Sequence, residues 1–460
     1  MSTARDAALA FARAQQPRFL DQYQEFLTIP SVSTDPAYAA DVQRAAAWVA
    51  DRLRAAGVTR VEIFPTSLHP VVFGSWLGAG PAAPTVLIYG HYDVQPTDPL
   101  ALWESDPFTP TIVGDFIHAR GASDMKGQVT AVLNGVEAAL HAGGLPVNLK
   151  FLIEGEEEIG SPSLPDFIAG QRELLASSFS LNADAGGLVN GIPAIGYALR
   201  GLTYYDLYVY GPARDLHSGG FGGVIHNPAQ ALCELITGMH DASGRVTLPG
   251  FYDKVRSLSA EERAELARLP FTDDHFRQQA GVTHLWGEAG FSAAERIGAR
   301  PTLEVNGLLS GFTGEGSKTV LPASALAKIS MRLVPDQDPR EVKEQLLRYL
   351  ESHAPPTVRC EVRELNVAYP VLTDRAMPEV RALQDALQTV WGVAPVFTRG
   401  GGTVPVVADL KHLLDIDSVL TGFSQPGDRI HSPNERQYLP NWSRGAEAII
   451  HFLYNLGGLM

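Results

Sequence analysis

Cysteine is nearly missing from this chain. Its 460 residues contain only Cys233 and Cys360. Two cysteines support neither a disulfide framework nor a cysteine-rich zinc site. Basic charge is also scarce: 36 Lys and Arg stand against 51 Asp and Glu, a formal net charge of −15. A nucleic-acid binder needs a basic face to neutralise phosphates, so that class is excluded. No stretch approaches the roughly 20 apolar residues that a membrane helix requires. The N-terminal MSTARDAALAFARAQQ has no apolar core of signal-peptide type. The expectation is a cytoplasmic protein that engages neither nucleic acid nor membrane. Familiar short signatures are lacking too. There is no G-x-S-x-G elbow for a serine nucleophile and no H-E-x-x-H for a helix-borne zinc. GFTGEGSKT comes near a phosphate loop, but Ser317 separates Gly316 from Lys318, where the motif needs Lys directly after its last Gly.

What is present points to a globular enzyme. Hydrophobic content of 45% and charged content of 19% are ordinary, and the length suggests two or three domains. A helix is predicted over 38–56, with Val42, Ala45, Ala46, Val49 and Leu53 along one side. Extended segments follow at 61–64, 71–76 and 85–89, then a helix over 128–141 ending at Gly143-Gly144. Further strands are predicted at 149–153 and 179–182. Such alternation predicts an α/β fold with a mainly parallel central sheet. The middle of the chain differs. TYYDLYVYG (203–211) and ALAKISMRLV (325–334) are long and alternate clearly. Helical patterns at 228–240 and 260–268 lie between them, which reads as a separate α+β domain. The chain crosses back at 367–373, then gives a helix at 378–391, a strand at 418–421 and a helix at 442–456. The expected organisation is a discontinuous α/β domain, 1–199 plus 370–460, interrupted by an inserted domain at 200–369.

The ends of the predicted strands carry the chemistry. GHYDVQP supplies His91 and Asp93, GASDMKG supplies Asp124, and EGEEEIGS supplies Glu154, Glu156, Glu157 and Glu158. NADAG supplies Asp184, and IHSPNE supplies His431. Ligands of open α/β sheets bind beyond the carboxyl ends of the strands, where these loops would converge. So much negative charge in one cleft repels itself, and divalent cations relieve it. Imidazole and carboxylate without thiolate suit zinc, cobalt or manganese. Two histidines and three carboxylates suffice for two metal ions if one carboxylate bridges.

Taken in order, GHYDVQP, GASDMKG, EGEEEIGS, NADAG and IHSPNE resemble the dinuclear-zinc metallopeptidase family of aminoacylases, carnosinases and bacterial dipeptidases. The carnosinase and bacterial dipeptidase branch is the most similar. RDLHSGGFGG, GSKTVLP and SMRLVP extend the resemblance into the inserted domain. It implies a zinc-exopeptidase-like catalytic domain with an inserted lid and dimerisation domain. It implies that His91 and Asp184 hold one metal, that Glu158 and His431 hold the other, and that Asp124 bridges them. Asp93 would hold the His91 ring by its second nitrogen. Glu157 would be the general base toward the attacking water; the Ile-Gly-Ser that follows aligns it so, rather than Glu154 or Glu156. The family often has a cis peptide after the bridging aspartate, here Asp124-Met125. His217 resembles an oxyanion-stabilising histidine that in many relatives comes from a partner subunit, with Thr319 beside it. Arg332 resembles a clamp for the substrate carboxylate. Gly401, Gly402 and Thr403 resemble a loop next to the substrate terminus.

The implied activity is hydrolysis of the amide bond in dipeptides or short peptides, dependent on two divalent ions, zinc first and cobalt or manganese as alternatives. Deacylation of N-acyl amino acids and aminopeptidase action on longer peptides use the same machinery. A metal-binding protein without catalytic activity is the reading from another class, and the intact base and ligand set argue against it. A homodimer through the inserted domain is expected, with the aromatic strand 203–211 taking part.

Overall fold

The computed structural model describes residues 2–184, 186–189 and 191–458. The chain divides into two compact units, one of 1–197, 373–398 and 404–460, the other of 198–372 and 399–403. The short stretch 399–403 therefore groups with the second unit, although the sequence reading set it in the first.

The first unit is built on a mixed sheet. Its strands run in the order Arg60–Phe64, Val71–Trp76, Asn148–Glu154, Thr85–His91, Phe179–Asn182, Ser418–Leu420 and Ile192–Leu199. Thr85–His91 is parallel to both of its neighbours, and Ser418–Leu420 is parallel to Phe179–Asn182. The flanking pairs are antiparallel. Val86, Leu87 and Ile88 are buried because helices cover the sheet, as expected for a parallel centre. The helix Ala39–Ala55 buries Val42, Ala45, Ala46, Val49 and Leu53, one stripe at helical period. The helix Lys126–Ala142 is buried almost throughout, and it ends at Gly143, whose φ of 74° only glycine adopts freely. Its Gly135 lets the helix Leu439–Asn455 approach closely. A Cβ there would meet the Ala446 carbonyl at 2.7 Å and Ile449 at 2.9 Å.

The second unit carries an antiparallel sheet of four strands in the order Thr302–Ser310, Ser324–Leu333, Gly201–Tyr210, Arg359–Ala368. Ser324–Leu333 alternates as its sequence predicts. Ala325, Ala327, Ile329, Met331 and Leu333 are buried, packing in one core with residues of the helices Pro228–Gly238 and Pro339–His353. Lys328, Ser330 and Arg332 occupy the other face. The aromatic strand expected in the dimer contact is interior to this sheet and paired along both edges.

No helix among the described residues is long and apolar enough to cross a membrane.

Candidate metal centre

Five segments of the first unit converge as the topology requires. His91 is the last residue of its strand, and Asp124 lies just before the helix Lys126–Ala142. Glu157 and Glu158 form a short turn after Asn148–Glu154, and Asp184 follows Phe179–Asn182. His431 comes from the loop after Ser418–Leu420. The His91 Nε2 lies 3.2 Å from Asp124 Oδ1 and 3.6 Å from Asp184 Oδ2. The His431 Nε2 lies 2.8 Å from Asp124 Oδ2 and 3.1 Å from Glu158 Oε2. Asp124 therefore offers one oxygen to each histidine. Three groupings follow, each with ligand atoms within 4.8 Å of one another: His91, Asp124 and Asp184; Asp124, Glu158 and His431; and His91, Glu157 and Glu158.

These residues fit a pair of divalent cations. Each Nε2 faces two carboxylates, and a single N–H cannot point at both. Tetrahedral ligands at zinc distances stand about 3.3–3.6 Å apart, and the separations here run from 2.8 to 3.6 Å. The donor set contains only imidazole and carboxylate, which suits zinc, cobalt or manganese.

The surroundings orient the ligands. The His91 Nδ1 lies 3.1 Å from the Asp93 carbonyl, with which it hydrogen-bonds, and 3.3 Å from the Asp93 Oδ1, so the carboxylate charge stands beside the ring. Asp93 Oδ2 also accepts from the Glu158 backbone N–H at 3.1 Å. Gln95 donates to Glu158 Oε2 at 2.8 Å. The remaining glutamates are spoken for. Glu154 accepts from Tyr89 and Ser161, and Glu156 accepts from Thr66, His69 N–H and Ser163 N–H. Only Glu157 and Glu158 of this run face the histidines. His431 itself sits at φ 61°, with Arg429 and Asn434 of the same loop also at positive φ. Such strain in non-glycine residues is characteristic of sites fixed by their surroundings. The Asp124-Met125 peptide is cis.

Proton affinities in the cluster are displaced. Burial pushes Glu157 up to about 7, and Glu158 and Asp124 add to the rise against the opposing pull of His91. Burial and the charge of Asp124 hold Asp184 well above the usual carboxylate range. Hydrogen bonds to Asp124 and Glu158 raise His431 to about 10. Burial works to lower His91, but its bonds to Asp124 and Asp93 prevail and raise it. Burial likewise works to raise Asp124, yet the two histidines hold it below the ordinary range.

One partner escaped the sequence reading. Glu435, fully buried, accepts from Ser123 N–H at 2.8 Å and Asp124 N–H at 3.0 Å through Oε1. Its Oε2 accepts from Arg120 at 2.7 Å and Gly121 N–H at 3.0 Å. It thus ties the His431 loop to the Asp124 loop. It lies within the IHSPNE segment, but nothing in the sequence says which backbone it would meet.

The remaining expected residues lie in the second unit. His217 pairs with Val320, and Ser218 N–H donates to the Thr319 carbonyl at 3.0 Å, so His217 and Thr319 are neighbours. His217 is exposed, and its Nδ1 accepts from Gly219 N–H at 2.9 Å. Arg332 donates to Thr403 Oγ1 at 2.9 Å, and Thr403 donates to the Arg200 carbonyl at 2.6 Å. The Gly402 carbonyl accepts from Arg200 N–H at 3.2 Å. Arg200 was not foreseen; it ends a strand pattern with no alternation to single it out.

A histidine–carboxylate cluster at strand ends, buried at His91 and open at His431, with an uncommitted glutamate of raised pKa, defines a metal-dependent hydrolase. Residues 87–455 match Peptidase family M20/M25/M40, and the chain belongs to that family as a metallopeptidase. It is 31% identical over 462 residues to a human Beta-Ala-His dipeptidase, covering 96% of this chain and 91% of that one. It is 30% identical over 464 residues to a Cys-Gly metallodipeptidase of Candida albicans, covering 96% and 95%. Among solved structures, an M20 family metallo-carboxypeptidase from Sulfolobus solfataricus superposes with a TM-score of 0.84 at 33% identity, covering 96% of this chain and 99% of that one.

Proposed function

We propose that this metallopeptidase cleaves dipeptides and short peptides that end in a free carboxylate. The single observation that carries the reading is Glu157: it is uncommitted, lies within 4.8 Å of His91 and Glu158, one ligand of each proposed metal grouping, and has a pKa raised to about 7. A general base works best with a pKa near the working pH. The relatives named for Cys-Gly and Beta-Ala-His dipeptide hydrolysis support a dipeptide substrate.

His91, Asp124 and Asp184 would hold one cation and Asp124, Glu158 and His431 the other, with zinc the first choice and cobalt or manganese alternatives. Bound there, the cations would supply Lewis-acid polarisation and offset the carboxylate charge. The chain's own residues do the rest. Glu157 takes a proton from the attacking water and delivers it to the departing amine nitrogen. Asp93 keeps the His91 ring in one orientation. Arg332, planar and permanently charged, binds the substrate carboxylate, with Gly402 and Thr403 shaping that end. His217, with Thr319 beside it, donates to the carbonyl oxygen as it gains charge.

The unit 198–372 with 399–403 would act as lid and dimerisation domain. The edge strand Thr302–Ser310 supports a homodimer, since Val305, Leu308 and Leu309 are exposed along it. Light scattering tests this: a fully active monomer refutes it.

The test of function is turnover of dipeptides, tripeptides and acetylated amino acids by protein loaded with zinc, cobalt or manganese. Dipeptide hydrolysis abolished in Glu157→Ala supports the reading. Turnover of acetylated amino acids alone makes the protein a deacylase. No turnover of any amide by metal-loaded protein refutes both.

A further inference from the structure

The second unit contains a cavity of about 400 Å³ that Arg332 shares with Arg200, Arg296 and Arg300. Only two acidic residues, Glu288 and Glu304, line it. An excess of two positive charges in one cavity is anomalous in a chain of net charge −15. The acidic partners do not resolve it. Arg300 takes both Glu288 oxygens at 2.7 Å, and Arg245 takes one of them again at 2.9 Å. Glu288 is therefore consumed. Arg296 donates to the carbonyls of Glu288 and Trp286. Arg200 donates to the Gly401 carbonyl at 3.0 Å, and Arg332 to the Thr403 hydroxyl. Among the described residues, none of Arg200, Arg296 and Arg332 reaches a carboxylate within ion-pair distance, although the charges of Arg200 and the exposed Glu304 act on each other from further away.

Arg200 and Arg332 form one structural element. Arg332 lies opposite Leu202 on one side and Thr302 on the other. Thr403 links the Arg200 carbonyl to the Arg332 guanidinium. Burial, and after it the charge of Arg332, lowers Arg200 to about 10. Two partly buried guanidiniums that raise each other's cost, with only the charge of Glu304 opposing them and no carboxylate in hydrogen-bond reach, favour an anion that joins them.

If Arg332 takes the α-carboxylate, as the proposed function reads, Arg200 is left with a positive charge and room beside it. We propose that the cavity accepts a C-terminal residue with a second carboxylate, so that peptides ending in glutamate or aspartate are preferred and Arg200 is the residue that selects them. The cavity is large enough for such a side chain, and guanidinium suits carboxylate bidentately. This inference rests on the dipeptidase reading for its kinetic arm but not for its binding arm.

The experiment compares Ala-Glu with Ala-Gln, and Ala-Asp with Ala-Asn, in metal-loaded protein. These pairs differ in charge at nearly constant shape. The acidic member should have the higher kcat/KM by at least about tenfold, as one charge-assisted hydrogen-bonded pair provides. Arg200→Met should bring the ratio close to one, and Arg200→Lys should keep part of it. Calorimetric binding of L-glutamate and L-glutamine to the wild-type protein gives the same comparison without turnover or a variant that has to fold. Equal affinities, or a wild-type kcat/KM ratio near one, overturn the proposal, as does an Arg200→Met variant with an undiminished ratio. If no dipeptide is hydrolysed, the proposed function falls while the binding comparison still judges the cavity.

Discussion

Four glutamates within five residues, Glu154 to Glu158, have different fates here. Glu154 and Glu156 are tied to hydroxyl and backbone donors, whereas Glu157 and Glu158 turn toward the histidines. The difference comes from the turn after the strand Asn148–Glu154, which ends the two-residue alternation and sends neighbouring side chains different ways. It makes adjacent residues separable by experiment. Glu157→Gln should lower kcat by about 10²–10⁴-fold with metal content unchanged. Glu158→Gln should instead lose metal, since Glu158 Oε2 lies 3.1 Å from the His431 Nε2. Elemental analysis alongside kinetics separates the two. Metal loss in the Glu157 variant would make that residue a ligand rather than a base.

The loops that hold these residues act in pairs. Glu435 spans 311 residues of sequence to reach Asp124 N–H, and its four accepted bonds leave no donor of the Asp124 loop free to drift. In Glu435→Gln the amide NH₂ would face either Arg120 and Gly121 N–H or Ser123 and Asp124 N–H, placing donor against donor. Metal affinity should fall by about 10–100-fold, measured by competition with a chelating dye, with secondary structure unchanged by circular dichroism. Unaltered affinity would reduce Glu435 to a structural anchor. The contact of the helices Lys126–Ala142 and Leu439–Asn455 gives a second case. Gly135→Ala drives a Cβ into the Ala446 carbonyl and Ile449 and should cost about 1–3 kcal/mol in denaturant unfolding. Elements of this kind were unevenly legible in the sequence. The buried helices and parallel strands announce themselves by periodic or continuous apolar residues, and the strand-end ligands follow from them. Thr302–Ser310 and Arg359–Ala368 did not stand out, because both are edge strands with few buried positions and so little alternation. Glu435 and Arg200 were hidden for another reason: their partners are distant in sequence, and only the fold brings them together.

At the scale of the molecule, the metal centre couples stability to pH. In metal-free protein several groups bind protons more tightly when folded. His431 is raised to about 10, Glu154 to about 8 by burial and then the charge of Asp93, and Glu157 to about 7 by burial. The stabilisation from His431⁺ is complete below its ordinary value of ~6.5 and is lost as pH rises toward 10. The two glutamates act in the same direction. Above ~4.3 the unfolded chain releases protons that the folded chain still holds, so folding is disfavoured progressively until pH 7 to 8. Together they make ∂ΔG/∂pH negative between pH 5 and 9, the glutamates over the lower part of that range and His431 over the upper part. Asp124, lowered rather than raised, has the opposite sign, but only below the ordinary carboxylate range. Cations at the site replace those protons and bind only the folded chain, which stabilises it by mass action. The melting temperature of EDTA-treated protein should thus fall from pH 5 to pH 9, and added zinc or manganese should restore it most at the alkaline end. The net charge of −15 adds self-repulsion in the same direction, so the slope alone does not identify the site. His431→Ala separates the two contributions, because it removes one raised group while changing the net charge by no more than one unit. Its metal-free melting curve should be flatter with pH than that of the wild type, whereas an equal or steeper slope would assign the effect to overall charge.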